Sequence, residues 1–399
     1  MSRAIPLTVA WLTIILSLHL QAAEKSLSEL EVEAKKILAD PDNISRRKSI
    51  TPVFELAEKY ATQGETNLAI NCYLRALEHQ PWNLQAQLAL GILFRGIGDT
   101  NKCRQKCELV WTNAESDDLV SEAAKLLGQP FTNRFPETAE EPPDKCSLTL
   151  VPFAGTDAWL LQALREELSR ILKIPVAIRP YPLESLRPEH DPLHLRAREL
   201  RGMIIKSQNT EEIQALQKKL KLSIKSMTND DMIIDFTEKL LESSPNKDQA
   251  SRFRDEVAFL RRQGPQWDAT QLVGQLGKAT KARPGSSAAY LGVTTLDLFA
   301  NDSRYVFGLA ANNGNCGVFS YRRYTAALWD ARPNQQLLKE RAVKQALSST
   351  GLMFGLPRCA DPTCARAYAN SLDEHDAKQL RLCDQCQTGF QRRFGKKPD

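Results

Sequence analysis

The sequence predicts an α+β chain: an all-α N-terminal half of helical repeats, then a mixed α/β domain that ends in a cysteine knuckle. Three observations predict it. Small and aromatic residues recur at a spacing of 34 between residues 53 and 107. A stretch rich in Pro, Glu and Thr at 131–145 gives way to a strand–helix–strand pattern. Four cysteines then fall as C-x4-C, a gap of eighteen residues, and C-x2-C. The 399 residues suffice for two or three domains, and 42% hydrophobic content allows them real cores. The net charge of +5 is spread along the chain. Its one basic run, Arg392, Arg393, Lys396 and Lys397, reads as a solvated tail, so no nucleic-acid partner is expected.

At the N-terminus Arg3 precedes an apolar run from Ala4 to Leu20, followed by the small pair Ala22-Ala23 and then Glu24 and Lys25. That is the layout of a secretory signal peptide over residues 1–23, and it predicts an exported protein, periplasmic or extracellular. Leu20 or Gln21 would sit at the small position before the cut, which leaves an uncleaved membrane anchor open. Pro6, Thr8, Ser17 and His19 make that run a poor membrane span.

Residues 24–130 read as the repeat domain. Val53, Leu56, Ala57, Tyr60, Gly64, Ala69, Tyr73, Ala76 and Pro81 occupy the signature positions of a tetratricopeptide repeat, which this segment resembles. The alanines are small where two helices touch, Tyr60 and Tyr73 fill the space between them, Gly64 allows the turn, and Pro81 ends the second helix. Thirty-four residues on, Leu90, Gly91, Phe94 and Gly98 repeat the first-helix pattern. Cys103 and Cys107 then take the small and large core positions, a reading preferred to a metal or redox pair. A last helix from about Asp118 to Leu127 caps the stack and Gly128 ends it. The segment before Asp40 predicts a further helix packed on the front.

Residues 131–145 read as a linker and 146–399 as the second domain. Ser147–Val151 and Pro175–Arg179 predict strands around an amphipathic helix over 157–172. Residues 182–265 are charged and mostly helical, with Thr210 as a cap. Strands follow at 289–298, 305–310 and 317–321, then a helix over 336–350 that ends at Gly351.

Cys359, Cys364, Cys383 and Cys386 supply two short-spaced pairs, which together make a four-thiolate tetrahedron for one structural zinc. Disulfides or free thiols are the alternative, favoured by an exported compartment. Ser371 with Glu374 three residues later predicts a capping box between the pairs.

This C-terminal region resembles the archaemetzincins, which join the active-site helix H-E-x-x-H-x-x-G-x-x-H to a cysteine and follow it with C-x4-C and C-x2-C. Gly351, Phe354, Gly355, Leu356 and Cys359 fit that frame, as do Tyr368–Asp376 and the strands at Leu291–Leu298 and Tyr305–Ala310. The resemblance covers roughly 146–390 and implies a metzincin-like fold. Anchored on Gly355 and Cys359, the frame places the three zinc histidines at Ser348, Leu352 and Arg358, the general-base glutamate at Ser349, and the family's methionine at Arg366. Leu352 offers no ligand atom, Arg358 is a permanent cation, Ser348 is a poor ligand, and Ser349 cannot take a proton from metal-bound water. The resemblance therefore implies a pseudo-metalloprotease, a non-catalytic protein that binds peptides or proteins on the concave face of its repeats and along a sheet edge. The rival reading is a zinc-dependent peptidase with a relocated metal site using His190 and His194. Of the five histidines, His375 is expected to be solvated or to support the knuckle. Ser348 and Ser349 lack the surroundings of a serine nucleophile.

Overall fold

The computed structural model describes residues 26–39, 50–131 and 147–393, apart from 154, 185, 245, 246 and 302. The signal segment, all of the linker beyond Phe131, Cys146 and the last basic residues lie outside this set. The chain divides into two compact units, split near residue 133, with residues 332–336 grouped with the first. No helix among the described residues is long and apolar enough to cross a membrane.

The first unit is helical: α1 (Leu27–Leu38), α2 (Thr51–Thr62), α3 (Thr66–His79), α4 (Leu84–Gly96), α5 (Thr100–Asn113) and α6 (Asp117–Leu127). Polar caps set the starts. Ser26 and Glu29 close a capping box on α1, and Asn83 and Asp99 accept backbone N–H groups at the starts of α4 and α5. Gly64 and Gly98 turn the chain with φ of +81° and +82° between paired helices. Ala57, Ala69 and Ala76 are fully buried where helices meet, and Tyr73 lies against Phe54 with ring centroids 6.5 Å apart. Tyr60 departs from expectation: it is only half-buried, because its hydroxyl donates to Glu31 on α1. Cys103 and Cys107 are buried core residues. A Cβ on Gly91 would stand 2.8 Å from the Cys107 sulfur, so the glycine admits that close approach.

The second unit is built on a five-stranded sheet. Its order is β2 (Val176–Ile178), β1 (Ser147–Pro152), β4 (Ala288–Thr294), β7 (Cys316–Ser320) and β6 (Gly308–Ala310). The first four are parallel and β6 is an antiparallel edge. Strand alternation sends Leu148, Leu150, Leu291 and Val293 to one face, against α7 (Ala158–Leu172) and α14 (Gln335–Met353). Val151, Cys316 and Val318 point the other way, toward α12 (Ala269–Thr280). Both faces are covered, and β1 is buried along its whole length, Ser147 and Thr149 included.

The charged middle forms α8 (Pro192–Lys206), α9 (Glu211–Leu220), α10 (Asp230–Ser243) and α11 (Lys247–Gln263) around a core of its own, including Leu200, Ile213, Ile234, Phe236 and Phe253. Thr210 stands at the N-cap of α9 without a side-chain bond.

Strand 289–298 is not continuous. Thr294 turns back to accept the Leu296 N–H, and Asp297–Phe299 (β5) pairs instead with Gln266–Asp268 (β3) in a small parallel sheet. The strand expected at 305–310 is cut to β6: Val306 N–H donates to the Leu298 carbonyl of β5, and Tyr305 lies over the Arg323 guanidinium at 3.8 Å. Between β7 and α14 runs the short helix α13 (Ala326–Trp329).

Candidate metal centre

The centre is organised by the end of α14. The helix does not stop at Gly351 as expected; it runs through it to Met353. The true stop is Gly355, at φ +77°: its N–H donates to the Leu352 carbonyl, and the Leu356 N–H donates to the Gly351 carbonyl. These two bonds make a Schellman turn, which satisfies carbonyls a helix end leaves open. The β6–β7 loop closes the rest, with Asn313 N–H on the Leu352 carbonyl and Asn315 N–H on the Met353 carbonyl. Cys359 follows four residues after the turn.

α15 (Leu372–Ala377) and α16 (Asp384–Arg393) complete the knuckle. The Sγ atoms of Cys359, Cys364, Cys383 and Cys386 all lie within 4.8 Å of one another. Cys359 and Cys383 sulfurs are 3.5 Å apart, and all four are free thiols. Thiolates at a zinc–sulfur distance of about 2.3 Å in a tetrahedron are separated by about 3.8 Å. The four side chains therefore fit one zinc. Burial raises the Cys359 thiol above its ordinary range, and a bound cation reverses that by coordinating the thiolate. Four sulfurs leave no open position for water, so a metal held here would be structural.

Polar groups brace the knuckle against α14. Ser371 accepts the Glu374 N–H at the start of α15, while Glu374 accepts from Asn370 instead of closing the expected box. His375 is not solvated: it is 1% exposed, stacked on Tyr324 at 5.0 Å, with Nε2 at 3.0 Å from the Arg341 carbonyl. Arg341 pairs with Asp376 through both guanidinium arms, and the buried Lys344 donates to the Asp376 carbonyl. Sequence reasoning missed this cluster, because its members are scattered over three segments, Tyr324, α14 and α15, with no short-range pattern.

The residues aligned with the family's hydrolytic site occupy one helix and its exit. Ser349 is buried with its hydroxyl accepting from Gln345, Ser348 and Leu352 are half-buried, and Arg358 is exposed over the Tyr368 ring at 4.1 Å. Arg366 is buried beside Gly351 and bonded to Cys386. His190 packs on Phe299 and His194 pairs with Asp230 at 3.0 Å, both at the surface. Among the described residues, the four cysteines are the only group of three or more donors placed to share a metal. From Ser348 to Met353 the described side chains of α14 include no histidine and no carboxylate.

Comparison with known proteins decides the class of this domain. Residues 252–392 match the sequence profile of peptidase family M54. They are an archaemetzincin-type domain. The archaemetzincin of Pyrococcus furiosus is 32% identical over 114 residues, which is 29% of this chain and 59% of that protein. That of Methanopyrus kandleri is 37% identical over 102 residues, 26% of this chain and 55% of the relative. The chain thus spans a little over half the length of these archaemetzincins. The crystal structure of the Methanopyrus kandleri archaemetzincin aligns with 64% of this chain and 99% of its own, at 22% identity and a TM-score of 0.38.

The match overturns the expectation that the chain is not an enzyme. The archaemetzincin family is one of zinc-dependent peptidases, and nothing in the described structure establishes a dismantled site. The expectation rested on a linear frame anchored on Gly355 and Cys359. Such a frame fixes the register of one helix, whereas a hydrolytic site is a set of positions in space.

Proposed function

We propose that this protein is a zinc-dependent peptidase of the archaemetzincin class whose hydrolytic metal is held by donors other than those aligned on α14, with a structural zinc at Cys359, Cys364, Cys383 and Cys386. The observation that carries the reading is the M54 match over residues 252–392. The first unit adds recognition: its paired helices, with tetratricopeptide signature residues in their contacts, bind a protein or peptide partner on their concave side. Strand β6, at the edge of the sheet, offers backbone groups to an extended peptide. The N-terminal segment directs the protein to export, and it holds the protein at a membrane only where that segment is uncleaved.

The test is cleavage of a mixed peptide library by the purified full chain, with zinc counted by mass spectrometry. Chelator-sensitive cleavage and two zinc ions per chain support the proposal. Loss of cleavage in His190→Ala/His194→Ala would put the hydrolytic metal at that pair. One zinc per chain with no cleavage refutes the proposal.

A further inference from the structure

Arg366 is an unusual residue to bury. It is 3% exposed, and no carboxylate is among its hydrogen-bond acceptors. A buried cation without an anion is costly, so something in its surroundings must carry negative charge. Its acceptors are three. Nη1 donates to the Cys386 sulfur at 3.2 Å, and Nη2 donates to the carbonyls of Leu356 at 3.0 Å and Pro357 at 2.8 Å. The Phe390 ring lies 5.5 Å from the guanidinium carbon. Nε has no partner at all. The carbonyls and the ring offer partial charge only, which leaves the sulfur as the one acceptor that becomes an anion.

The fold makes room for this cation at a specific place. A Cβ on Gly351 would stand 2.0 Å from Nε and 2.4 Å from Cζ, so the guanidinium lies directly on the bare backbone of α14. That contact explains why the helix carries a glycine in its last turns instead of ending there.

We propose that Arg366 is the charge-compensating and positioning residue of the thiolate metal site. Zinc with four thiolates carries two net negative charges, and a tetrad enclosed by protein needs positive charge or N–H donors to hold them. Arg366 supplies both to Cys386. Its other arm grips the two carbonyls just before Arg358 and Cys359, so one planar side chain ties a metal ligand to the exit of α14. The inference rests on zinc occupying the four cysteines.

The experiment measures zinc affinity of the full chain by competition with a chromophoric chelator, and the sulfur-to-metal absorption band of the cobalt-substituted protein. Arg366→Met should weaken zinc binding about 10- to 100-fold and shift the cobalt band, as expected when a group supporting a metal ligand is removed. Arg366→Lys keeps the charge without the fork and should recover part of the loss. Gly351→Ala, which displaces the guanidinium without touching a cysteine, should lower affinity similarly. Combined with Arg366→Met it should add nothing further, since both changes remove one interaction. An Arg366→Met protein with parental affinity and an unshifted band overturns the proposal, as does full additivity of the two losses. Should Arg366→Met fail to fold, unchanged zinc affinity in Gly351→Ala overturns it. Absence of zinc from the parent chain overturns the thiolate site and this proposal together, whereas tight parental binding with an indifferent Arg366 overturns this proposal alone.

Discussion

The Asp297 side chain accepts four hydrogen bonds in the second unit, and replacing it by Asn should be among the most damaging single changes there. The carboxylate is 2% exposed. Oδ1 accepts from Arg323 Nε at 2.7 Å; Oδ2 accepts from Arg323 Nη2 at 2.8 Å, Gln263 Nε2 at 2.9 Å and Gln266 Nε2 at 2.8 Å. Every partner is a donor. An Asn amide, in either orientation, turns one NH2 group toward a donor and leaves the buried Arg323 without its counter-ion. Breaking a buried pair from one side costs about 3–5 kcal/mol. For a unit of this size each kcal/mol lowers the melting temperature by about 2–4 °C, so a drop of about 10 °C is expected. Calorimetry of the full chain should show it in one transition, with the helical unit unaffected. The double change Asp297→Leu/Arg323→Met removes both charges and should cost less than Asp297→Asn. It should not be neutral, because Gln263 keeps an unmatched amide. A double mutant as destabilised as Asp297→Asn or more would refute this account of the network.

Three further outcomes are expected. Tyr73→Ala, which empties a site 2% exposed in the core of the helical unit, should destabilise the first unit by about 3–5 kcal/mol in urea unfolding, leaving the other transition unmoved. Cys383→Ser should release the structural zinc and open the chain beyond about Arg366 to limited proteolysis, with the helical unit intact on gels. His375, held neutral by burial and then by the charge of Lys378, has its pKa depressed to about 3, while the unfolded chain protonates near 6.5. The unfolded state therefore takes up the proton first, and stability falls as pH drops from about 6.5 toward 3. The loss between pH 7 and pH 5 is about 2 kcal/mol, a slope that should be missing in His375→Gln.

The helices of the first unit were readable because their rules are local: small residues at helix contacts, glycines at positive φ, and polar caps recur within a few residues of one another. The knuckle was readable for the same reason, since two short-spaced cysteine pairs state their geometry in the sequence. The stop of α14 was misread at Gly351 because a glycine near a helix end has two physical explanations. One is a left-handed turn, which Gly355 provides; the other is a close neighbour, which Gly351 admits, and that neighbour is fifteen residues away. His375 was misplaced for a similar reason. A helix of six residues has no periodicity to announce its buried face, and the stack with Tyr324 joins segments about fifty residues apart. The break at Thr294–Asp297 was hidden because apolar residues continue on both sides of it, Val293 before and Leu296, Leu298 and Phe299 after, and a turn made by a threonine hydroxyl carries no Gly or Pro to mark it.

The pairing of β1 with β4 has a consequence for how the chain reaches its native state. These neighbours in the sheet lie about 140 residues apart in sequence, and the helices α8–α11 fall between them. Closing so long a loop is slow, because its entropy is lost before any strand contact repays it. The intervening helices have their own core and short-range contacts, so they are positioned to form first and to shorten the effective loop. Until β4 arrives, β1 (Ser147–Pro152) has only β2 on one side, and its other edge is open to other chains. Conditions that slow the closing of this pair, such as a destabilised helical insert, should appear first as lost yield on refolding rather than as a lower melting temperature.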